Sequence, residues 1–90
     1  MIERDVIVKN KVGIHARPAA LLVQMAEKYD ADIFFEKDNN RVNGRSVLGI
    51  MLLAAACNSK VTIIAEGADE AAAVEAIEQL FNDRFGEDNA

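Results

Sequence analysis

Gly13-Ile14-His15-Ala16-Arg17-Pro18-Ala19-Ala20 constrains this chain more than any other stretch. It sets the single histidine three residues from the single proline, directly ahead of a run of helix-forming residues. From Ala16 to Tyr29, Ala19, Leu22, Val23 and Ala26 fall at helical spacing, so one stripe can face a core while Arg17, Gln24 and Lys28 stay in water. With His15 as N-cap, Pro18 is the third helical residue, where its missing N–H would have had no intrahelical carbonyl partner. Gly13 supplies, just before the turn, a residue that can take a backbone conformation a Cβ would penalise.

A helix begun in this way puts the imidazole in front of unpaired N–H groups. With the positive end of the helix dipole they favour an anion, by about 0.3–1 kcal/mol per exposed charge. Phosphate is the natural candidate. If the neutral imidazole attacks a phosphoryl donor, the phosphohistidine oxygens come near the backbone N–H groups of Ala16 and Arg17. The Arg17 guanidinium then adds a charge-assisted contact. The helix end also disfavours a positive ring, which preserves a nucleophilic lone pair. On these eight residues alone, an ordinary capping histidine beside a solvated arginine stays open as the alternative.

Ninety residues make a single domain, 1–90, with one modest core and room for one layer of helices on a sheet. Ten basic and 15 acidic residues give a net charge of -5, with no Lys/Arg cluster that could track a nucleic-acid backbone. No apolar run reaches the length of a membrane span, and the N-terminus opens as a strand-like Ile2–Val8, so a cytoplasmic protein without membrane insertion is expected. Cys57 is the only cysteine, which rules out an internal disulfide, and with one histidine no metal site or cofactor is expected. Cys57 reads as a small, partly buried hydrophobe.

Along the chain, Val6 and Val8 alternate with polar residues in a first strand. After the first helix, 32–37 predicts a strand with Ile33 and Phe35 inward and Phe34 on the open face. Asp38-Asn39-Asn40 then turns the chain into a short antiparallel strand, 41–43. Ser46 is the N-cap of a second helix, Val47 to Leu53, too apolar to bury every side. Val47, Leu48 and Met51 are therefore expected at a surface, as a partner site or as ordinary core overflow. Asn58 is expected to end that helix, 60–66 to form a fourth strand, and Gly67-Ala68-Asp69 to turn and cap a third helix reaching Arg84. The tail, 86–90, reads as frayed and acidic.

The order β-α-β-β-α-β-α predicts an α+β fold: an open-faced two-layer sandwich, with three helices on one face of a four-stranded antiparallel sheet. The start of the second helix is expected beside the start of the first, so that His15, Arg17, Ser46 and the apolar patch share one surface. The open sheet face and Phe34 do not compel a dimer, so a monomer is expected.

Three segments, Gly13–Ala19, Val42–Met51 and Gly67–Glu70, together resemble the HPr family, histidine-containing phosphocarriers of the phosphoenolpyruvate-dependent sugar phosphotransferase system. The resemblance covers nearly the whole chain. It implies that enzyme I passes a phosphoryl group to His15 Nδ1, that Arg17 steadies it, and that a sugar-specific enzyme IIA receives it. It implies a carrier and not an enzyme, since partners would supply the other catalytic groups. Ser46, already explained as a cap, becomes a candidate target of HPr kinase/phosphorylase. Val47, Leu48 and Met51 match a docking patch rimmed by Arg17 and Arg45 and completed by Ala20, Leu21 and Gln24. Gln24 and Glu27 stand where many members carry lysines, and Asn58 where glycine is common. The alternatives are an HPr of a nitrogen-related regulatory branch and a small regulatory domain that binds without covalent chemistry.

Overall fold

Strand alternation and three amphipathic stripes determine how this chain folds. The computed structural model describes residues 1–87. In order they form β1 (Ile2–Ile7), α1 (Ala16–Ala26), β2 (Asp32–Lys37), β3 (Asn40–Asn43), α2 (Val47–Leu52), β4 (Lys60–Glu66) and α3 (Glu70–Asn82), followed by a turn at Arg84–Gly86 whose residues all take positive φ. The four strands make one antiparallel sheet in the order β1-β4-β2-β3, with three helices on one face, as expected. Val6 lies opposite Val61, and Phe35 opposite both Ile63 and Val42, so the apolar positions of neighbouring strands fall into rows. On the other face Asp5 accepts a hydrogen bond from Thr62 at 2.7 Å, the polar half of the same alternation.

One core joins the layers. Val6, Val8, Ile33, Phe35, Val61, Ile63 and Ala65 bury against Ala19, Leu22 and Ala26 of α1, Ile50 of α2, and Ala73, Val74, Ile77 and Phe81 of α3. Phe81 is central: its ring lies 6.5 Å from Phe35 and 5.0 Å, edge to face, from Phe85.

Local chemistry accounts for the turns. Asp38 and Asn39 both take positive φ in the two-residue hairpin loop, a conformation their short polar side chains tolerate. Ser46 caps α2 by accepting the Gly49 N–H at 2.9 Å. Gly13 has φ +81, and a Cβ there would lie 2.7 Å from the Ala55 carbonyl oxygen, so the loop ahead of α1 admits glycine alone without strain.

Four expectations need correction. First, α1 ends at Ala26 and not at Tyr29: the next N–H groups, of Lys28 and Tyr29, bond three residues back, tightening the last turn. Arg45 completes this end, its Nη2 donating to the carbonyls of Ala26, Tyr29 and Ala31. Second, those bonds put the start of α2 beside the end of α1, while the chain following α2 reaches the start of α1, where Ile14 N–H donates to Ala55 O at 2.9 Å. The two helices therefore lie head to tail, and Ser46 is remote from His15. Third, α2 closes at Leu53, with Ala54 taking the left-handed conformation. Asn58 instead turns the chain into β4, with φ +74 and its N–H bonded to Val8 O. Fourth, α3 stops at Asn82, because Arg84 and Phe85 both adopt positive φ.

Asp69 occupies the N-cap position of α3, yet its carboxylate makes no cap bond; it accepts the N–H groups of Asp30 and Ala31, both at 2.9 Å. Glu70 takes over at the helix start, accepting the Gly67 N–H at 3.0 Å. The hydrogen bond from Asp30 holds the Asp69 carboxyl below its ordinary range against the opposing effect of burial, helped by Ala31 and the Arg45 charge. A carboxyl lowered on folding contributes its full stabilisation above its unfolded value and loses it as pH falls through the folded one. In an acid titration followed by NMR, the Asp30 and Ala31 amide signals are therefore expected to shift only below the ordinary aspartate range. A midpoint at or above that range would contradict the link.

Candidate functional site

The site begins with the loop that feeds α1. Asn10 is fully buried. Its Nδ2 donates to Gly13 O at 2.7 Å, while the Gly13 N–H returns to Asn10 O at 3.2 Å. This small closed loop fixes the backbone that presents His15. His15 has extended φ/ψ of -94° and -169° at the N-cap position, and its carbonyl accepts the first helical bond, from Ala19 N–H at 3.0 Å. The N–H groups of Ala16 and Arg17 lie ahead of that bond, as the position of Pro18 predicts.

The imidazole does not cap the helix. Its Nε2 lies 2.7 Å from Oε2 of Glu87, and among the described residues its Nδ1 has no hydrogen-bond partner. The His15 side chain is 39 % exposed, enough for a second protein to reach it. Arg17 Nη1 donates to Phe85 O at 2.8 Å and to Glu87 Oε2 at 3.2 Å. Asn10 Nδ2 donates also to Glu87 Oε1 at 2.9 Å. Burial pushes the Glu87 carboxyl up, but the hydrogen bonds from Asn10, His15 and Arg17 outweigh it and hold the group below the usual carboxylate range.

The tail expected to fray is thus docked as far as Glu87; residues 88–90 of that expectation lie outside the described residues. Phe85 anchors it by burying its ring against Phe81. Glu87 then reaches back over 72 residues to His15 and counters the helix end by setting a negative charge beside the ring. Asn10, Phe85 and Glu87 are the site residues that sequence reasoning missed. Phe85 had a signal, since it continues the four-residue spacing from Ile77 and Phe81.

The remaining predicted residues fall into two groups. Ala20 and Leu21 of α1 are half-buried and Gln24 is exposed, while Val47, Leu48 and Met51 of α2 are exposed. Leu52, absent from the predicted patch, is the most open of the α2 side chains at 74 %. Ser46 and Arg45 lie at the other end of α1 from His15, and the Arg45 guanidinium is engaged by the three helix-end carbonyls. Cys57 is half-buried, with its Sγ 3.8 Å from Lys9 O. Among the described residues no group of three or more His, Cys, Asp or Glu side chains could hold a metal ion, and no helix is long and apolar enough to cross a membrane.

An exposed imidazole at a helix start, one ring nitrogen tied to a carboxylate and the other open beside an arginine, suits reversible phosphorylation. The family model for the PTS HPr component phosphorylation site matches residues 2–83. The chain is 47 % identical over 88 residues to the phosphocarrier protein HPr of Treponema pallidum, covering 98 % of this chain and 100 % of that one. It is 49 % identical over 77 residues to the HPr-like protein Crh of Halalkalibacterium halodurans, covering 86 % and 92 % respectively. A crystal structure of HPr from Thermoanaerobacter tengcongensis matches with a TM-score of 0.93 and 46 % identity over 98 % of this chain and 99 % of that one. Agreement over this length in both sequence and fold means that the chain belongs to the HPr family of phosphocarrier proteins.

Proposed function

We propose that this chain, acting as a single domain and a monomer in the cytoplasm, accepts a phosphoryl group from phospho-enzyme I on His15 and passes it to a sugar-specific enzyme IIA. The observation that carries the reading is the hydrogen bond from Nε2 to Glu87. A carboxylate can only accept, so Nε2 carries a proton, and in the neutral ring the lone pair is left on Nδ1. A phosphoryl group joined there has the first-turn N–H groups of Ala16 and Arg17 close by, and the Arg17 guanidinium on a side chain 53 % exposed. Such an open site holds phosphate without enclosing it, which suits a relay whose partners supply the other catalytic groups.

Ala20, Leu21 and Gln24 of α1 and Val47, Leu48, Met51 and Leu52 of α2 form the proposed docking surface, supported by the four exposed apolar side chains that α2 carries within one short helix. Arg45 has a structural task in this reading, holding the end of α1. Ser46, capping α2 at the far end of the surface, is the proposed regulatory phosphorylation site for HPr kinase/phosphorylase.

The test is incubation with the cognate enzyme I, phosphoenolpyruvate and Mg²⁺, followed by intact mass and peptide mapping. One acid-labile phosphate on the peptide containing His15, which an enzyme IIA then removes, is the expected result. A protein that takes up none would overturn the relay. The similarity to HPr-like protein Crh, which in Bacillus subtilis is described as a catabolite repression HPr, gives a second reading, in which the chain serves a regulatory partner and not sugar uptake. Phosphate that loads on His15 but transfers to no sugar-specific enzyme IIA would favour it.

A further inference from the structure

Glu87 does more than fasten the end of the described chain. Its side chain is only 17 % exposed, and both carboxylate oxygens are committed: Oε1 to Asn10, Oε2 to His15 and Arg17. Asn10 is the fixed point behind it. Both atoms facing its amide nitrogen, Gly13 O and Glu87 Oε1, are acceptors, so the NH₂ must point at them. The carboxylate is therefore oriented from the side away from the ring. Asn10 Oδ1, meanwhile, is buried with no hydrogen-bond partner among the described residues.

On the relay reading, we propose that Glu87 is a positioning residue that keeps a proton on Nε2 in both the free and the phosphorylated ring, and so sets how readily His15 gives its phosphoryl group up. When Nδ1 attacks, its lone pair forms the new N–P bond while the donor's bond to phosphorus breaks and the donor atom keeps that electron pair. No proton enters or leaves His15. The phosphorylated ring consequently carries Nε2–H and a positive charge, directly against the Glu87 carboxylate. If the ring sheds that proton, the group that must later leave phosphorus is an imidazole anion, a poor leaving group. With the proton held, neutral imidazole departs, which is the form the cycle began with. Arg17, the other charged side chain hydrogen-bonded in the cluster among the described residues, touches the same Oε2 at a longer 3.2 Å and can turn to the phosphoryl oxygens without releasing Nε2.

The test compares phosphorylated wild type, Glu87→Gln and Glu87→Ala for spontaneous phosphate loss from mildly acidic to mildly alkaline pH. Above neutrality Glu87→Ala is expected to keep its phosphate at least about tenfold longer than wild type, as loss of one charge-assisted hydrogen bond implies. Glu87→Gln, which can still accept from Nε2 but has no charge, should fall between them. The three rates should converge in acid, where the ring holds its proton unaided. A tail that merely shields the site from water gives the opposite sign, because removing it would hasten hydrolysis at every pH; that result, or equal rates, would overturn the proposal. Failure of the relay itself reads differently, since wild type would then take up no phosphate. In that case ¹⁵N NMR of unphosphorylated His15 still tests the placement, with the Nε2–H tautomer expected in wild type and a mixture in Glu87→Ala; a mixture in wild type would overturn it.

Discussion

Arg17→Ala is expected to slow phosphoryl transfer to and from His15 by about 10²–10³-fold, the usual cost of removing one preorganised donor from a developing anionic charge. Its guanidinium is the only cation hydrogen-bonded in the His15–Glu87 cluster among the described residues. The fold should survive. The side chain is more than half exposed, and losing its bond to Phe85 O removes about 1 kcal/mol. Arg17→Lys should recover little of the rate, because an ammonium supplies a point charge without the planar pair of donors that grips two phosphoryl oxygens. Stopped-flow transfer from phospho-enzyme I beside a melting curve would check both halves. A rate within threefold of wild type with an unchanged melting point would remove Arg17 from the chemistry.

Phe81→Ala is the second large effect, and it acts on stability. Phe81 is buried between Phe35 of the sheet and Phe85 of the tail, so truncation leaves a cavity at the one point where sheet, α3 and tail meet. A loss of about 3–5 kcal/mol is expected. For 90 residues the total is roughly 5–13 kcal/mol, so such a loss takes a large share and lowers the melting point by at least about 10 °C. Phe85 would lose its edge-to-face partner as well, loosening the clasp that brings Glu87 to His15. Urea unfolding gives the first effect, and the His15–Glu87 contact followed by NMR gives the second. A destabilisation under 1 kcal/mol would show that α3 repacks.

The features legible in the sequence are those decided by neighbours a few residues away. Asp38 and Asn39 form a hairpin turn because their own side chains favour positive φ, and Ser46 caps α2 because the acceptor and the N–H it satisfies are three residues apart. Inward positions in β2 follow from simple alternation, and those of β4 do so as far as Ile63, after which Ile64 on the opposite side is buried as well. Local signals give way where a distant partner decides. The helical pattern of α1 continues to Tyr29, but its end is set by Arg45, brought in by the hairpin. Asn58 enters β4 and does not end α2: its left-handed conformation serves equally for either, and the bond to Val8 settles which. Asp69 looks like a cap and instead ties α3 to the start of β2. At the site, His15, Arg17 and Pro18 announce the helix start by themselves. Glu87 could not be read in this way: in sequence it is one more acidic residue near a polar end, and only the burial of Phe85 turns it toward the ring.

Because α2 starts where α1 ends, Ser46 stands about one helix length, roughly 15 Å, from His15. At physiological ionic strength the Debye length is about 8 Å, so a charge placed on Ser46 is largely screened before it reaches the ring. The intrinsic reactivity of His15 should then be indifferent to that charge. Only a molecule broad enough to cover both ends of the paired helices would feel it. A mark at Ser46 would therefore discriminate by the footprint of the phosphoryl donor, stopping a protein that lies along α1 and α2 while leaving a small chemical donor such as phosphoramidate free to react.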